Sequence, residues 1–197
     1  MASAFSAEIA AAAARLVVEE GMEYGPAKRR AARLLGRSRG ADLPGNDEVE
    51  DEVRAYLALF CADTQPAELA ALREVAAQWM ARLADFRPHL TGAVWRGTAT
   101  RLNNVHLQLY CDDPKAAEIA LIDRGIAYEI GSLPGPRGDP VDVLSIASPS
   151  HVLGETVTVH LSVLDHDDLR GALKPDARGR SQRGDLAAVR ALMASAA

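Results

Sequence analysis

Gly92-Ala-Val-Trp-Arg-Gly-Thr-Ala-Thr-Arg-Leu-Asn-Asn-Val-His-Leu107 is the stretch that decides how this chain is read. Gly92 and Gly97 bracket a compact turn, and glycine lets a backbone bend and approach a ligand closely. Asn104 and His106 stand one residue apart at the entry of Val105-His-Leu-Gln-Leu-Tyr110, which alternates apolar and polar with a period of two. That is the pattern of a half-buried strand. Residues two apart on a strand point to one face, so Asn104 and His106 are expected side by side. His89 to Thr91 reads as a short strand leading into the turn.

Working downstream, Asp112-Asp113-Pro114 starts a helix that Gly125 ends, with Ile119 and Leu121 or Ile122 inward. Ala127 to Ile130 is a short strand, and Leu133 to Asp139 a Pro/Gly loop. Val141 to Ala147 and Thr156 to Leu164 are further strands. Asp167 to Leu173 is a helical turn, Lys174 to Gly184 a basic loop, and Asp185 opens a last helix through Met193. Upstream, the pattern is helical. Ser6 caps a helix to Gly21 with Ile9, Leu16 and Val17 inward. Gly25-Pro26 restarts one that Gly36 ends. Asn46 caps a third, with Asp47, Glu48 and Glu50 near its positive end and Val53, Leu57 and Phe60 on one face. The fourth begins near Pro66 and carries Leu69, Leu72, Val75, Ala76, Trp79, Met80 and Leu83. Arg87-Pro88 breaks the helical pattern. The expected class is α+β: a helical N-terminal region over 1–86, then an α/β domain over 87–197 with a mixed or antiparallel sheet.

The chain has 197 residues, 48% hydrophobic and 25% charged, which is enough to bury a core without staples. A net charge of −5 implies no general affinity for nucleic acid or membranes. No apolar run approaches the roughly 20 residues needed to span a bilayer. Cys61 and Cys111 stand apart and read as buried free thiols. A soluble, cytoplasmic protein is expected. There is no Gly-x-x-x-x-Gly-Lys-Ser/Thr loop and no Gly-x-Ser-x-Gly elbow.

Gly92, Arg96, Gly97, Ala99, Val105 and Leu107 stand in the spacing of the nucleotidyltransferase-fold superfamily, and the stretch resembles its minimal or kanamycin-type members. That signature has Gly-Ser, an Arg-Gly-x-Ala turn, then Ser-Asp-x-Asp on a strand. The resemblance implies a nucleotidyltransferase-like mixed sheet with helices. It also implies a phosphate-binding turn at Gly92, Ala93, Arg96 and Gly97. Family members hold two Mg²⁺ on strand carboxylates, which stabilise the attacking and leaving oxygens of an in-line transfer. This chain departs at those points. Ala93 replaces the serine, and Asn104 and His106 replace the two aspartates. The third position aligns with Thr158, with Asp142 the nearest acidic substitute.

The implied function is a divergent nucleotidyltransferase-fold protein that binds a nucleotide or phosphorylated small molecule, with two-Mg transfer lost or altered. Two alternatives stay open. In one, Asn104, His106, Asp142, Thr158 and His160 supply an unconventional catalytic centre for metal-dependent nucleotidyl transfer or phosphoester hydrolysis. His106, Asn104 and Asp142 would be its metal ligands, for Mg or Mn or for a transition metal, which imidazole nitrogen suits better. In the other, the chain is a non-catalytic module that meets RNA or a protein partner through Arg29, Arg33 and Arg37, which helical spacing places on one face. Arg170, Lys174, Arg178, Arg180 and Arg183 form a second basic group, and the two groups together read either as meeting a phosphate-rich ligand such as tRNA or a nucleotide or as a solvated face. Asp165-His-Asp-Asp168 reads as a strand end and helix cap. Aromatic residues make up only 5%, which argues against stacking on single strands.

Overall fold

The structure is a computed structural model that describes residues 4–36 and 43–195. The chain divides into two compact units, Met1–Glu68 with Thr98–Asn103, and Leu69–Gly97 with Asn104–Ala197.

The first unit contains α1 (Ala4–Glu20), α2 (Tyr24–Leu34) and α3 (Asn46–Phe60), and the first turn of α4 (Gln65–Arg82). Alanine lets helices approach closely, and Ala10, Ala13, Ala14, Ala27 and Ala31 are buried together with Ile9, Val17, Val49, Val53 and Leu57. Ser6 does not cap α1. It lies inside the helix, and its hydroxyl donates to Glu48 at 3.4 Å. The N-cap of α3 is Gly45 rather than Asn46, and its N–H donates to Glu48 Oε2 at 2.7 Å. Phe60 is exposed, so the buried face of α3 ends at Leu57. The segment Thr98–Asn103 is fixed by Gln65, whose amide donates to Ala99 O at 2.9 Å, and by Glu68, which accepts from Arg101 N at 2.9 Å.

The second unit is built on a mixed sheet. Its strands are β1 (His89–Thr91), β2 (Val105–Cys111), β3 (Glu129–Pro134), β4 (Pro140–Ser150), β5 (Glu155–Asp165) and β6 (Arg183–Gly184). The order is β3-β4-β5-β2-β1-β6; β2 and β5 run parallel and the other pairs antiparallel. The short helices are α5 (Gly92–Arg96), α6 (Ala116–Asp123) and α7 (Asp168–Ala172), and α8 (Leu186–Ser195) closes the chain. The α+β class with helices leading and a mixed sheet following is as expected. In α6 it is Leu121 that is buried, while Ile119 and Ile122 are exposed. The Pro/Gly stretch after Pro134 is the turn of a β3–β4 hairpin, so the strand expected over Ala127 to Ile130 instead runs Glu129–Pro134.

Alternation sorts the two faces of this sheet. Val105, Leu107, Leu109, Val159, Leu161, Leu144 and Ile146 point to one face and are buried. Helices α4 and α6 lie on that side, since Trp79 Nε1 donates to Ser148 Oγ at 2.9 Å and Lys115 Nζ reaches Asp142 at 3.1 Å. Asp142 and Ser148 share that face with Leu144 and Ile146. The other face carries Ser145, Thr158, His160, Ser162, His106, Gln108 and Thr91, all half-buried.

Candidate functional site

Register assembles one row across the polar face. Ser145 on β4 pairs with His160 on β5, His160 with His106 on β2, His106 with Thr91 on β1, and Thr91 with Arg183 on β6. Directly paired residues present their side chains on the same side of a sheet. The imidazoles of His106 and His160 stack with centroids 5.0 Å apart and planes 30° apart. Asn104, just before β2, reaches His160 Nε2 with its amide nitrogen at 3.1 Å. Ser145 Oγ lies 2.8 Å from His160 Nδ1. An amide nitrogen only donates, so Nε2 accepts, and Nδ1–H is left to donate to Ser145.

Of the expected site residues, Asn104, His106 and His160 converge. Thr158 shares their face but faces Ala147 on β4, one step along the strand, and it is His160 that stands beside His106. Asp142 does not join them. It projects from the opposite face, where Lys115 bridges it and Glu118, at 3.1 Å and 3.0 Å. Strand parity decides this: Ser145 is on the site's face, so a residue three positions away on the same strand is on the other.

Gly92 lies over His106. A Cβ built there would be 3.6 Å from His106 Cδ2, and φ is +75°. The turn that follows is the single short helix α5, closed by Gly97 at φ +82°, whose N–H donates to Ala93 O. Its last carbonyls are held from outside. Arg73 on α4 donates through Nε to Val94 O at 3.2 Å and through Nη2 to Trp95 O at 3.4 Å. Burial pulls the Arg73 guanidinium below its usual pKa. Replacing Gly92 with Ala is expected to cost about 1 kcal/mol, because an L side chain rarely adopts that φ. Chemical denaturation checks the loss, and an unchanged midpoint would mean the turn adopts another conformation.

The Mg²⁺ pair implied by the resemblance does not fit these residues. Mg²⁺ demands oxygen ligands, usually with one or two carboxylates. The row offers one amide, two imidazoles and two hydroxyls between Ser145 and Thr91. Among the described residues no three His, Cys, Asp or Glu side chains gather closely enough to hold a metal ion.

Sequence reasoning missed Ser145, Arg73 and the place of Arg183. Ser145 was detectable from alternation along β4. Arg73 was hidden in a helix of apolar spacing. Arg183 lies on a two-residue strand, too short for any period. Its Nη1 donates to Gln108 Oε1 and to Tyr110 Oη, the latter at 3.2 Å. Burial pushes the Tyr110 phenol up, and the Arg183 hydrogen bond partly offsets it. Arg29 and Arg33 are exposed on α2, while Arg37 lies outside the described residues. Arg180 is paired with Asp176 at 3.2 Å. Asp165 ends β5 and accepts from the Asp167 N–H at 2.8 Å, so the strand end is as expected, but Asp167 at the N-cap of α7 makes no side-chain capping bond. Cys111 is buried and its thiol is pushed up by burial, whereas Cys61 is only half-buried.

A cavity of about 470 Å³ opens on the opposite, apolar side, lined by Trp79, Arg82, Ile126, Ile146 and Val152 among others. It contains none of the residues in the row. Among the described residues no helix is long and apolar enough to cross a membrane. Comparison with known proteins finds no family model, no curated protein and no solved structure that matches this chain.

Proposed function

We propose that this chain is a divergent nucleotidyltransferase-fold protein that binds a nucleotide or a phosphorylated small molecule on the polar face of its sheet and does not perform two-Mg transfer. One observation carries the reading. Asn104, His106 and His160 meet on one face beneath the Gly92 backbone. The resemblance assigns that place to the metal-holding acids. Here an amide and two imidazoles stand in place of carboxylates, so no negative charge is present to repel phosphate oxygens.

Calorimetry with ATP, GTP, CTP and UTP, each with and without Mg²⁺ or Mn²⁺, tests this. Binding by at least one nucleotide is expected, and its affinity should not rise with metal. Replacing His106 with Ala should weaken it roughly tenfold, the scale of one hydrogen bond to a charged group. Asp142→Asn should leave it unchanged. If no nucleotide binds, the reading fails. If pyrophosphate is released with Mg²⁺ present, the protein is a working transferase and the loss of transfer is wrong.

A further inference from the structure

Arg183 is a charged side chain in an unusual position. It is half-buried on β6, and its side-chain partners, Gln108 and Tyr110, are both neutral. Among the described residues its side chain makes no further hydrogen bond or ion pair. Its Nε is fully buried without a hydrogen-bond partner. A guanidinium withdrawn from water without a counter-ion is unfavourable, and an orphaned buried donor calls for an explanation. Gln108 and Tyr110 engage one terminal nitrogen and thereby aim the group. The other terminal nitrogen has no partner among the described residues, and a guanidinium edge matches phosphate geometry. Register places Arg183 beside Thr91 and Thr91 beside His106, so the cation and the histidine pair share one face. Two strand spacings, about 10 Å, separate the Arg183 and His106 backbones, while the guanidinium reaches back over β1 to Gln108 and Tyr110, two and four residues beyond His106 on β2.

From this the geometry points to Arg183 as the anchor for the far end of a polyphosphate chain that runs from the His106–His160 pair along the face of β2 towards Gln108 and Tyr110, as a metal-free anion. The inference rests on the phosphorylated-ligand reading and adds the ligand's class, its direction along β2 and the cation that neutralises it. No co-reactant and no bond change are involved. The anion supplies the counter-charge that Arg183 lacks, and no carboxylate stands between Arg183 and Ser145 in the row to repel it.

Inorganic triphosphate is the probe, added to the whole chain at low salt without metal. In the unaltered protein the Arg183 Nε–H resonance, assigned by its loss in Arg183→Lys, should shift and saturate along the binding curve. Arg183→Met should bind triphosphate at least tenfold more weakly, and Arg183→Lys should fall between, since it keeps the charge and loses the planar fork. Triphosphate binding with an unmoved Arg183 resonance overturns the inference, and so does wild-type affinity in Arg183→Met. In either case weakened binding by His106→Ala would leave the broader ligand reading standing. If triphosphate moves Arg183 but no nucleotide binds, the anchor stands and the nucleotide reading fails. If triphosphate does not bind at all, the anchor is overturned outright.

Discussion

Arg73→Met should destabilise the protein by about 2–4 kcal/mol, lowering the melting temperature by roughly 5–15 °C. The argument begins with helix length. The five residues of α5 are too few for a helix to sustain itself, because nucleation is unfavourable and few internal hydrogen bonds follow it. The Arg73 guanidinium sits at the carbonyl end of this helix, where a positive charge is favoured, and donates to Val94 O and Trp95 O. Met can fill some of the same volume but brings no donor. The cost comes from carbonyls left without their partners inside a protein where Arg73 itself is 7% exposed. A second consequence reaches the candidate site. Gly92 begins α5 and lies against His106, so the His106 ring resonances should shift in Arg73→Met although no atom of Arg73 is placed at the ring. A midpoint within about 0.5 kcal/mol of wild type would show that water replaces the guanidinium at both carbonyls.

Much of this arrangement was legible because it depends on periodicity. The period of two in Val105–Tyr110 and in Val157–Val163 identified β2 and β5 as half-buried strands, and both are in place. Asn104 and His106 came together for the same reason. What sequence could not supply was pairing. Whether His106 faces Thr158 or His160 depends on a register set between strands some fifty residues apart, and no local pattern encodes it. Asp142 was attractive as an acidic residue on a neighbouring strand. Parity turns it to the opposite face, and the Lys115 ammonium explains its charge without any metal. Caps were the least legible features. Ser6 and Asn46 are good capping residues by type, yet Ser6 lies within α1 and Gly45 starts α3 because Glu48 satisfies its N–H. Gly45 is a permitted capping type, and Glu48 three positions later forms the back-bond of a capping box, so both Gly45 and Asn46 fit by type and only the structure separates them. Arg183 lies in a loop of Gly, Arg and Ser whose composition suggested solvent exposure. Its place beside Thr91 emerges only from the two residues of β6 that pair with β1.

Gly184→Ala should also be costly, by about 2–3 kcal/mol, because it overpacks a fixed contact. A Cβ at Gly184 would lie 2.2 Å from Trp95 Cη2 and 2.3 Å from Cζ3, with Ala188 Cβ at 3.0 Å on another side. An indole free to swing could relieve this. Trp95 is tethered by its Nε1–H, which donates to Ser181 O at 2.8 Å, so relief breaks that bond or moves β6 away from β1. Backbone freedom is not the issue, since Gly184 is not among the glycines with positive φ. It is the missing side chain that lets the edge strand and the ring share the space. Moving β6 would carry Arg183 with it, so Gly184→Ala should weaken triphosphate binding as well as stability, whereas Arg73→Met disturbs the Gly92 end of the row. The variant's melting curve and its triphosphate affinity measure the two effects together. A variant as stable as wild type that still binds triphosphate normally would mean that Trp95 leaves its contact at little cost, and that the position of Arg183 does not depend on the pairing of β6.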